Sequence, residues 1–328
     1  MNKIKAVALF SGGLDSILAI KLIENQGIEV IGINFRTPFF GMEQSLIQNN
    51  SIQLNIIDIT DEYMEILKNP THGYGKNINP CIDCHTFMFK KAGEFMSKIN
   101  ASFIISGEVL GERPMSQNKA SLRLIEKESG YSGLILRPLS ALLLEETIPE
   151  KTGVVNRSQL LNISGRSRKR QIELASQMGI VNYPSPAGGC KLTEPGFSNR
   201  LKDLFTQDKY SLRDIELLKI GRHFRMDKNT KLVVGRNKSE NNQIEQYFHD
   251  GDVLLKARNV KGPISLLKIN DSLNEELIIQ ACRITSRYCD KEDFDELEIG
   301  CYYKLPQENP VIKEVKPLEE NDLDSLRI

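Results

Sequence analysis

The sequence predicts an α/β protein in which a doubly wound parallel sheet is followed by a second, smaller α+β domain. Three observations carry this expectation. Apolar runs with no polar alternation ("IKAVALF", "IEVIGINF", "LNIIDIT", "SFIISGEV", "GLILRPLS") are separated by segments of helical periodicity, and strands apolar on both faces belong to parallel sheets covered by helices on both sides. Beyond about residue 221 the texture changes to short β-type runs with turn signals, "KLVVGR", "DVLLKARNV" and "PISLLKI", followed by one helix near 273–290. A length of 328 residues also exceeds the usual size of one domain.

Taken in order, the first strand is followed by the helical stretch "SILAIKLIENQG", then "IEVIGINF", a polar helix near 43–51 and "LNIIDIT". A later helix, "RSRKRQIELASQMG", stops at Gly179, and the glycine- and proline-rich "NYPSPAGGC" reads as a loop near the end of the first domain. The expected boundaries are 1–195 for the first domain, 196–222 for a connecting helical region and 223–328 for the second domain. No internal repeat or low-complexity tract interrupts this plan.

Composition excludes some classes. Hydrophobic residues make up 40% and charged residues 26%, within the range of globular proteins. Lys and Arg total 43 and Asp and Glu total 43, so contact with nucleic acid must come from a local patch and not from a global basic field. The N-terminal residues lack the zones of a signal peptide and no apolar run reaches membrane-spanning length, which places the chain in the cytoplasm with no membrane partner. In that reducing compartment six cysteines read as core residues, metal ligands or catalysts and not as a disulfide framework.

The chemistry begins at "KAVALFSGGLDSILAIKLIENQG". At the end of a buried strand, Gly12 and Gly13 let the backbone turn sharply and approach a ligand, while the next helix aims its unpaired N–H groups into the turn. Such a site holds phosphate. Ser11 and Ser16 add hydroxyl donors, and Asp15, an acid beside phosphates, is suited to hold Mg²⁺. A Walker loop is absent. The string resembles the SGGxDS signature of the PP-loop ATP pyrophosphatases, with their adenine nucleotide alpha hydrolase-like fold, which adenylate a substrate by cleaving ATP between its α and β phosphates. That resemblance implies that the second strand lies beside the first and offers its carboxyl end to adenine, with Ile33, Asn34 and Phe35 as the candidates. Phe35 reads equally as a core aromatic.

In "NINPCIDCHTFMFKKAGEFM", Cys81 and Cys84 are spaced to reach one metal, or for one to resolve a disulfide of the other. The string resembles the N-P-x-x-x-C-N segment of tRNA-specific 2-thiouridylases, which implies a catalytic Cys84. Cys81 departs from that pattern toward tRNA thiolases that hold an iron–sulfur cluster through C-x-x-C and a distant third cysteine. His85 replaces the family's Asn and reads as a helix N-terminal residue with no chemistry. Cys190, following two glycines in a loop, is the natural third thiol. Cys282 and Cys289, seven apart on one helix face, read as core, and Cys301 is given no function.

"SFIISGEVLGERPMSQNKASL" and "LILRPLSAL" are similar to segments of tRNA 4-thiouridine synthetases, which implies that Gly107 and Glu108, with Gly111, Ser116 and Gln117, frame the ATP and the target base. The C-terminal "LVVGRNKSENNQIEQYFHDGDVLLKARNVKGPISLL" resembles the NFACT RNA-binding module, so that Arg236, Asn237, Lys238, Lys256, Arg258 and Lys261 would face phosphates. Arg166, Arg168, Lys169 and Arg170 of "GRSRKRQ" would extend that track.

Together these resemblances imply an ATP-dependent tRNA sulfurtransferase that adenylates a uridine carbonyl and replaces its oxygen with sulfur, with 4-thiouridine ahead of 2-thiouridine. The implied cofactors are ATP, Mg²⁺ on Asp15 and a [4Fe–4S] cluster on Cys81, Cys84 and Cys190, the alternative being a persulfide route through the same thiols. The implied partners are tRNA and a cysteine desulfurase or other sulfur donor. Two other readings remain: a PP-loop ligase or amidotransferase, and an RNA-binding translation factor with a vestigial ATP site.

Overall fold

The computed structural model describes residues 3–41, 52–184, 190–207, 209–269, 274–290, 295–304 and 309–328. The helix expected near 43–51 lies outside them. Contacts divide the chain into two units, Met1–Thr193 and Glu194–Ile328.

The first unit is built on five parallel strands, β1 (Lys5–Leu9), β2 (Glu29–Arg36), β3 (Gln53–Asp58), β4 (Phe103–Ser106) and β5 (Ile135–Leu136), in the order β3-β2-β1-β4-β5. Its described helices are α1 (Leu14–Glu24), α2 (Thr60–Lys68), α3 (Cys81–Lys98), α4 (Lys119–Ser129), α5 (Ile148–Lys151) and α6 (Lys169–Gln177). The central strand explains why its sequence shows no alternation. Ala6 and Ala8 point to a core shared with Ile17, Ile20 and Ile23 of α1, while Val7 points to the opposite core with Phe89, Ala92 and Met96 of α3. Small side chains on one face and a branched one on the other let helices cover both, as a doubly wound sheet requires.

Helix α1 shows little amphipathicity because eight of its eleven residues are buried. One side meets the sheet, and Leu14, Leu18 and Leu22 meet Ala175 and Leu174 of α6. A helix apolar almost all round is one enclosed between layers.

The second unit carries β6 (Arg222–Arg225), β7 (Thr230–Val234), β8 (Val253–Ala257), β9 (Ile264–Ile269), β10 (Leu297–Tyr302) and β11 (Val311–Val315), an antiparallel sheet in the order β11-β10-β8-β9-β7-β6. Its helices are α7 (Pro195–Phe205), α8 (Leu212–Leu217), α9 (Lys238–Gln246), α10 (Glu275–Arg287) and α11 (Glu320–Asp324). Leu232, Val234, Leu255 and Leu267 pack with Ile278, Ala281 and Cys282 of α10, whereas Val233, Leu254 and Leu266 pack with Ile244 of α9. Both faces are therefore covered, which is why "KLVV" and "DVLL" read as continuous apolar runs despite being antiparallel. Cys282, Cys289 and Cys301 all lie in the α10 core, and Cys282 Sγ stands 3.6 Å from Cys301 Sγ. Strand β10 holds the strand-like run around Cys301, whereas β6 and β11 and the helix α9 carry weaker patterns that the periodicity does not mark.

One close approach fixes the first unit. Gly107, just after β4, lies so near the first turn of α1 that a Cβ there would stand 2.6 Å from Ser16 N and 2.8 Å from Asp15 C. Both obstacles are backbone and cannot rotate aside. Gly107→Ala is therefore expected to destabilise the chain by about 1–3 kcal/mol, typical of overpacking a fitted site, and to lower the midpoint of thermal unfolding; an unchanged midpoint would show that the two segments have slack.

Candidate active site

The site is assembled at the carboxyl edge of the parallel sheet, where loops after β1 and β4 meet. The turn after β1 is held on both sides: Phe10 N–H donates to Ile33 O at 2.8 Å, and Asn34 Nδ2 donates to Phe10 O at 2.8 Å. Gly12 adopts φ +77, the left-handed region that a side chain would oppose, and Gly13 is the extended N-cap of α1, with no side chain capping the helix. The serines wrap this turn: Ser11 Oγ accepts from Gly13 N–H at 3.3 Å, Ser16 Oγ donates to Gly13 O at 2.8 Å, and the two hydroxyls are 3.4 Å apart.

Around Asp15 lies a group of polar side chains that exceeds its own hydrogen bonds. Asp15 Oδ1 and the neighbouring Arg168 Nε are buried without a hydrogen-bond partner. Burial pushes the Asp15 carboxyl up, while Arg168, Gln171 and Arg113 pull it back. Glu112 is pushed up by burial and then by Asp15 itself. Unpaired buried groups cost about 1–3 kcal/mol each, so this cluster is chemically suited to hold further polar atoms. A buried, unpaired carboxylate oxygen at a helix N-terminus fits a metal-bound phosphate.

The thiols lie on the neighbouring loops. Cys81 opens α3 after Pro80, and Cys84, one turn on, is buried. Burial raises the Cys84 thiol far above its ordinary value, Tyr63 opposes this, and Cys190 and then Cys81 add to it. Tyr63, fully buried, is itself raised by burial and by all three thiols, Cys84 first, then Cys190 and Cys81. Cys190, half-buried, donates its thiol to Phe39 O at 3.9 Å, and Phe39 and Phe40 stack near the Tyr63 ring at 5.9 and 5.1 Å. The three cysteines therefore fall within electrostatic reach of one another across an aromatic wall. They fit a cluster in donor type and number; among the described residues, no three His, Cys, Asp or Glu side chains are already gathered at metal-binding distance. None of the six cysteines forms a disulfide.

Arg113 connects the two halves. Burial raises the Cys81 thiol and Arg113 lowers it, and the same guanidinium acts on Asp15. Glu108 is buried; its carboxylate accepts from Arg137 Nε–H at 2.9 Å and pairs with His85 Nδ1 at 2.7 Å. Burial alone would raise its carboxyl, yet Arg137 and His85 outweigh that and hold it at about 2.

The other expected residues fall as follows. Ile33 and Phe35 point into the α3-side core and Asn34 into the turn after β1, so what the end of β2 presents at the edge is chiefly backbone. Arg168 is half-buried against Asp15, whereas Arg166, Lys169 and Arg170 are exposed. In the second unit Arg236 forks onto Glu240, Asn237 caps α9 by accepting from Glu240 N–H, and Lys256 pairs with Glu245. Lys238, Arg258 and Lys261 are exposed. Sequence reasoning did not single out Tyr63, Glu112, Arg113, Arg137 or Gln171: Glu112, Arg113 and Arg137 stand inside the strings "LGERPMSQ" and "LILRPLSAL" and Gln171 inside "RSRKRQ", where nothing local marks them, and Tyr63 lies outside any of the quoted motifs.

With this geometry, the first unit has the architecture of a PP-loop nucleotide domain, and the second is an antiparallel sheet covered on both faces by helices. Residues 2–152 match the family described as thiamine biosynthesis protein (ThiI), and residues 221–327 match the NFACT protein RNA binding domain. The chain thus joins a PP-loop domain of the ThiI kind to a C-terminal NFACT-type domain. It is similar to the tRNA-specific 2-thiouridylase MnmA of Petrotoga mobilis (23% identical, over 98% of this chain and 89% of that one). It also resembles MnmA of Karelsulcia muelleri (31%, over 62% and 55%) and the probable tRNA sulfurtransferase of Thermococcus kodakarensis (28%, over 48% and 42%). The chain therefore spans most of the first relative and about half of the other two. Among the described residues, no helix is long and apolar enough to cross a membrane.

The Glu108 pair generates a pH prediction. A carboxyl held at about 2, against an ordinary value of 4.5, stabilises the folded chain above its unfolded pKa, and that contribution is lost as pH falls through the folded value. The effect is roughly 3 kcal/mol. Glu108→Gln should lower the urea midpoint near neutrality, because Arg137 is left buried with an unpaired charge, and should flatten the loss of stability between about pH 5 and 2. An acid limb as steep as that of the natural chain would show that Glu108 is not the group titrating.

Proposed function

We propose that the protein is an ATP-dependent tRNA sulfurtransferase that activates a uridine carbonyl by adenylation and exchanges its oxygen for sulfur, with 4-thiouridine the product favoured over 2-thiouridine. The observation that carries this reading is that the SGGLDS turn and the thiol-bearing start of α3 lie close enough for one guanidinium, Arg113, to act on both Asp15 and Cys81, with Cys84 and Cys190 in electrostatic reach of Cys81 or of each other. A reaction with two chemical halves needs both within reach of one substrate atom.

The sequence of events follows from the leaving-group problem. The uridine carbonyl oxygen attacks the α-phosphorus of ATP, the α–β phosphoanhydride bond breaks, and pyrophosphate departs with its charge met by the α1 N-terminus, Ser11, Ser16 and Arg168. Mg²⁺, held through Asp15, would supply further charge neutralisation. Sulfur then attacks the activated ring carbon and the carbon–oxygen bond breaks to release AMP. With a persulfide on Cys84, the terminal sulfur bonds to carbon, and a thiolate of Cys190 or Cys81 attacks Cys84 Sγ. That step frees the thiolated base and leaves a disulfide for a thiol reductant. A [4Fe–4S] cluster on Cys81, Cys84 and Cys190 would instead supply an activated sulfide. The raised Cys84 thiol favours any arrangement that brings a cationic centre to this pocket, since a bare thiolate there is costly. A cysteine desulfurase suits the role of donor, and the NFACT-type domain suits the grip on tRNA, with ATP as co-substrate and the cytoplasm as the setting.

The test is mass spectrometry of nucleosides from tRNA incubated anaerobically with the protein, Mg²⁺–ATP and a sulfur source. Thiouridine with stoichiometric AMP and pyrophosphate is expected. Asp15→Asn should abolish pyrophosphate release with tRNA affinity unchanged, whereas Cys84→Ala or Cys190→Ala should spare ATP binding and abolish thiolation. Pyrophosphate release without sulfur in the product would favour a ligase or amidotransferase; RNA binding without pyrophosphate would favour a translation factor.

A further inference from the structure

The loop between α2 and α3 is pinned more firmly than a connecting loop requires. Thr71 N–H and His72 N–H donate to the two oxygens of Asp83 at 3.1 Å each, and Gly75 N–H donates to Asn79 O at 2.8 Å. Asn77 is held at φ +60, and its amide donates to Thr193 O at 2.7 Å. What this rigid loop presents is Tyr74. Its hydroxyl donates to Leu67 O at 2.7 Å, yet the residue remains 43% exposed. A tyrosine whose polar end is already satisfied offers solvent only its ring.

Beside it, Met115 is 48% exposed and lies over Gly75, so closely that a Cβ on Gly75 would meet Met115 Cε at 3.3 Å. Met115, from a different loop, thus lies against the residue next to Tyr74, and both side chains are exposed. Exposed Lys76 follows Tyr74, and exposed Arg113 stands two residues before Met115. Arg113 is the same guanidinium that acts on Asp15 and Cys81. An exposed ring and an exposed thioether are thus each two residues from an exposed cation, one of which, Arg113, reaches the proposed reaction site.

We propose that Tyr74 and Met115 seat one unstacked nucleobase of the RNA substrate, with Lys76 and Arg113 meeting its flanking phosphates. The inference rests on the reading that this chain acts on RNA, and adds where the base is received. A base carries a π face for the tyrosine ring and an edge that a flexible thioether can follow, and chemistry on a base in a helix requires that it leave the stack. The neighbouring positive charges suit phosphodiester and oppose a basic or purely apolar partner.

The chain contains no tryptophan, so Tyr74→Trp installs a single fluorophore in the full-length protein. Titration with a tRNA transcript should quench its emission about two-fold, as stacking on a base does, while Val181→Trp, at an 82% exposed position, should change little. Tyr74→Ala should weaken tRNA binding about ten-fold with ATP affinity unchanged, and Tyr74→Phe should stay within about two-fold of the natural chain. tRNA binding without quenching at position 74 overturns the seat and leaves the sulfurtransferase reading intact. Quenching by Mg²⁺–ATP alone also overturns it, by giving the ring to adenine. A natural chain that binds no RNA overturns the seat together with the reading beneath it.

Discussion

The buried carboxylate of Glu108 is the constraint on which the rest of the site depends. A carboxylate can be sunk into a protein interior only if its charge and lone pairs are answered there, and the answers come from two separate elements: Arg137, just beyond β5, and His85, near the start of α3. The carboxylate therefore locks the helix that carries Cys81 and Cys84 to the sheet. One residue earlier, Gly107 locks β4 against the backbone of Asp15 and Ser16. Two consecutive residues thus set the thiol helix and the phosphate turn in one frame, one by charge and the other by the lack of a side chain. The arrangement is over-determined, since Arg137 also lies over the Phe89 ring and near Glu126.

The electrostatics of the edge divide into two characters. Around Asp15 the problem is too many polar groups with too few partners, a surplus suited to a highly charged, hydrogen-bonding molecule. Around Cys84 the problem is the reverse: an aromatic enclosure of Phe39, Phe40 and Tyr63 that resists negative charge. A triphosphate fits the first and a soft, polarisable sulfur centre the second. Arg113, exposed between them, is the one described cation within electrostatic reach of both Asp15 and Cys81.

What the sequence made legible were the features whose physics is local. The SGGLDS turn is readable because a phosphate turn needs its glycines and hydroxyls within a few residues, and the strands β1, β2 and β4 because burial on both faces suppresses alternation. Side chains that reach the site from afar were illegible. Arg168 reads as one more cation in "GRSRKRQ", yet α6 packs against α1, which turns Arg168 and Gln171 toward Asp15 while Arg166, Lys169 and Arg170 stay in solvent. His85 reads as a helix start without chemistry because its partner Glu108 is 23 residues away. The helix expected near 43–51 lies outside the described residues, as do the two glycines before Cys190.

Internal pairing changes how the second unit can meet a polyanion. Of the six residues suggested there for phosphate contact, Arg236 is forked onto Glu240, Asn237 spends its side-chain oxygen on the α9 N-terminus, and Lys256 is shared between Glu245 and the Tyr302 ring. A phosphate arriving at these groups must compete with an existing carboxylate or hydrogen bond, so each contributes less than a free cation would. Exposed Lys238, Arg258 and Lys261 face no such competition from a described acid. The fork of Arg236 onto Glu240 instead orders the "GRN" turn between β7 and α9, so its role is to hold Asn237 and Lys238 in place. Charge in this domain therefore divides between residues held in internal pairs and residues left exposed, a division that counting basic residues cannot reveal.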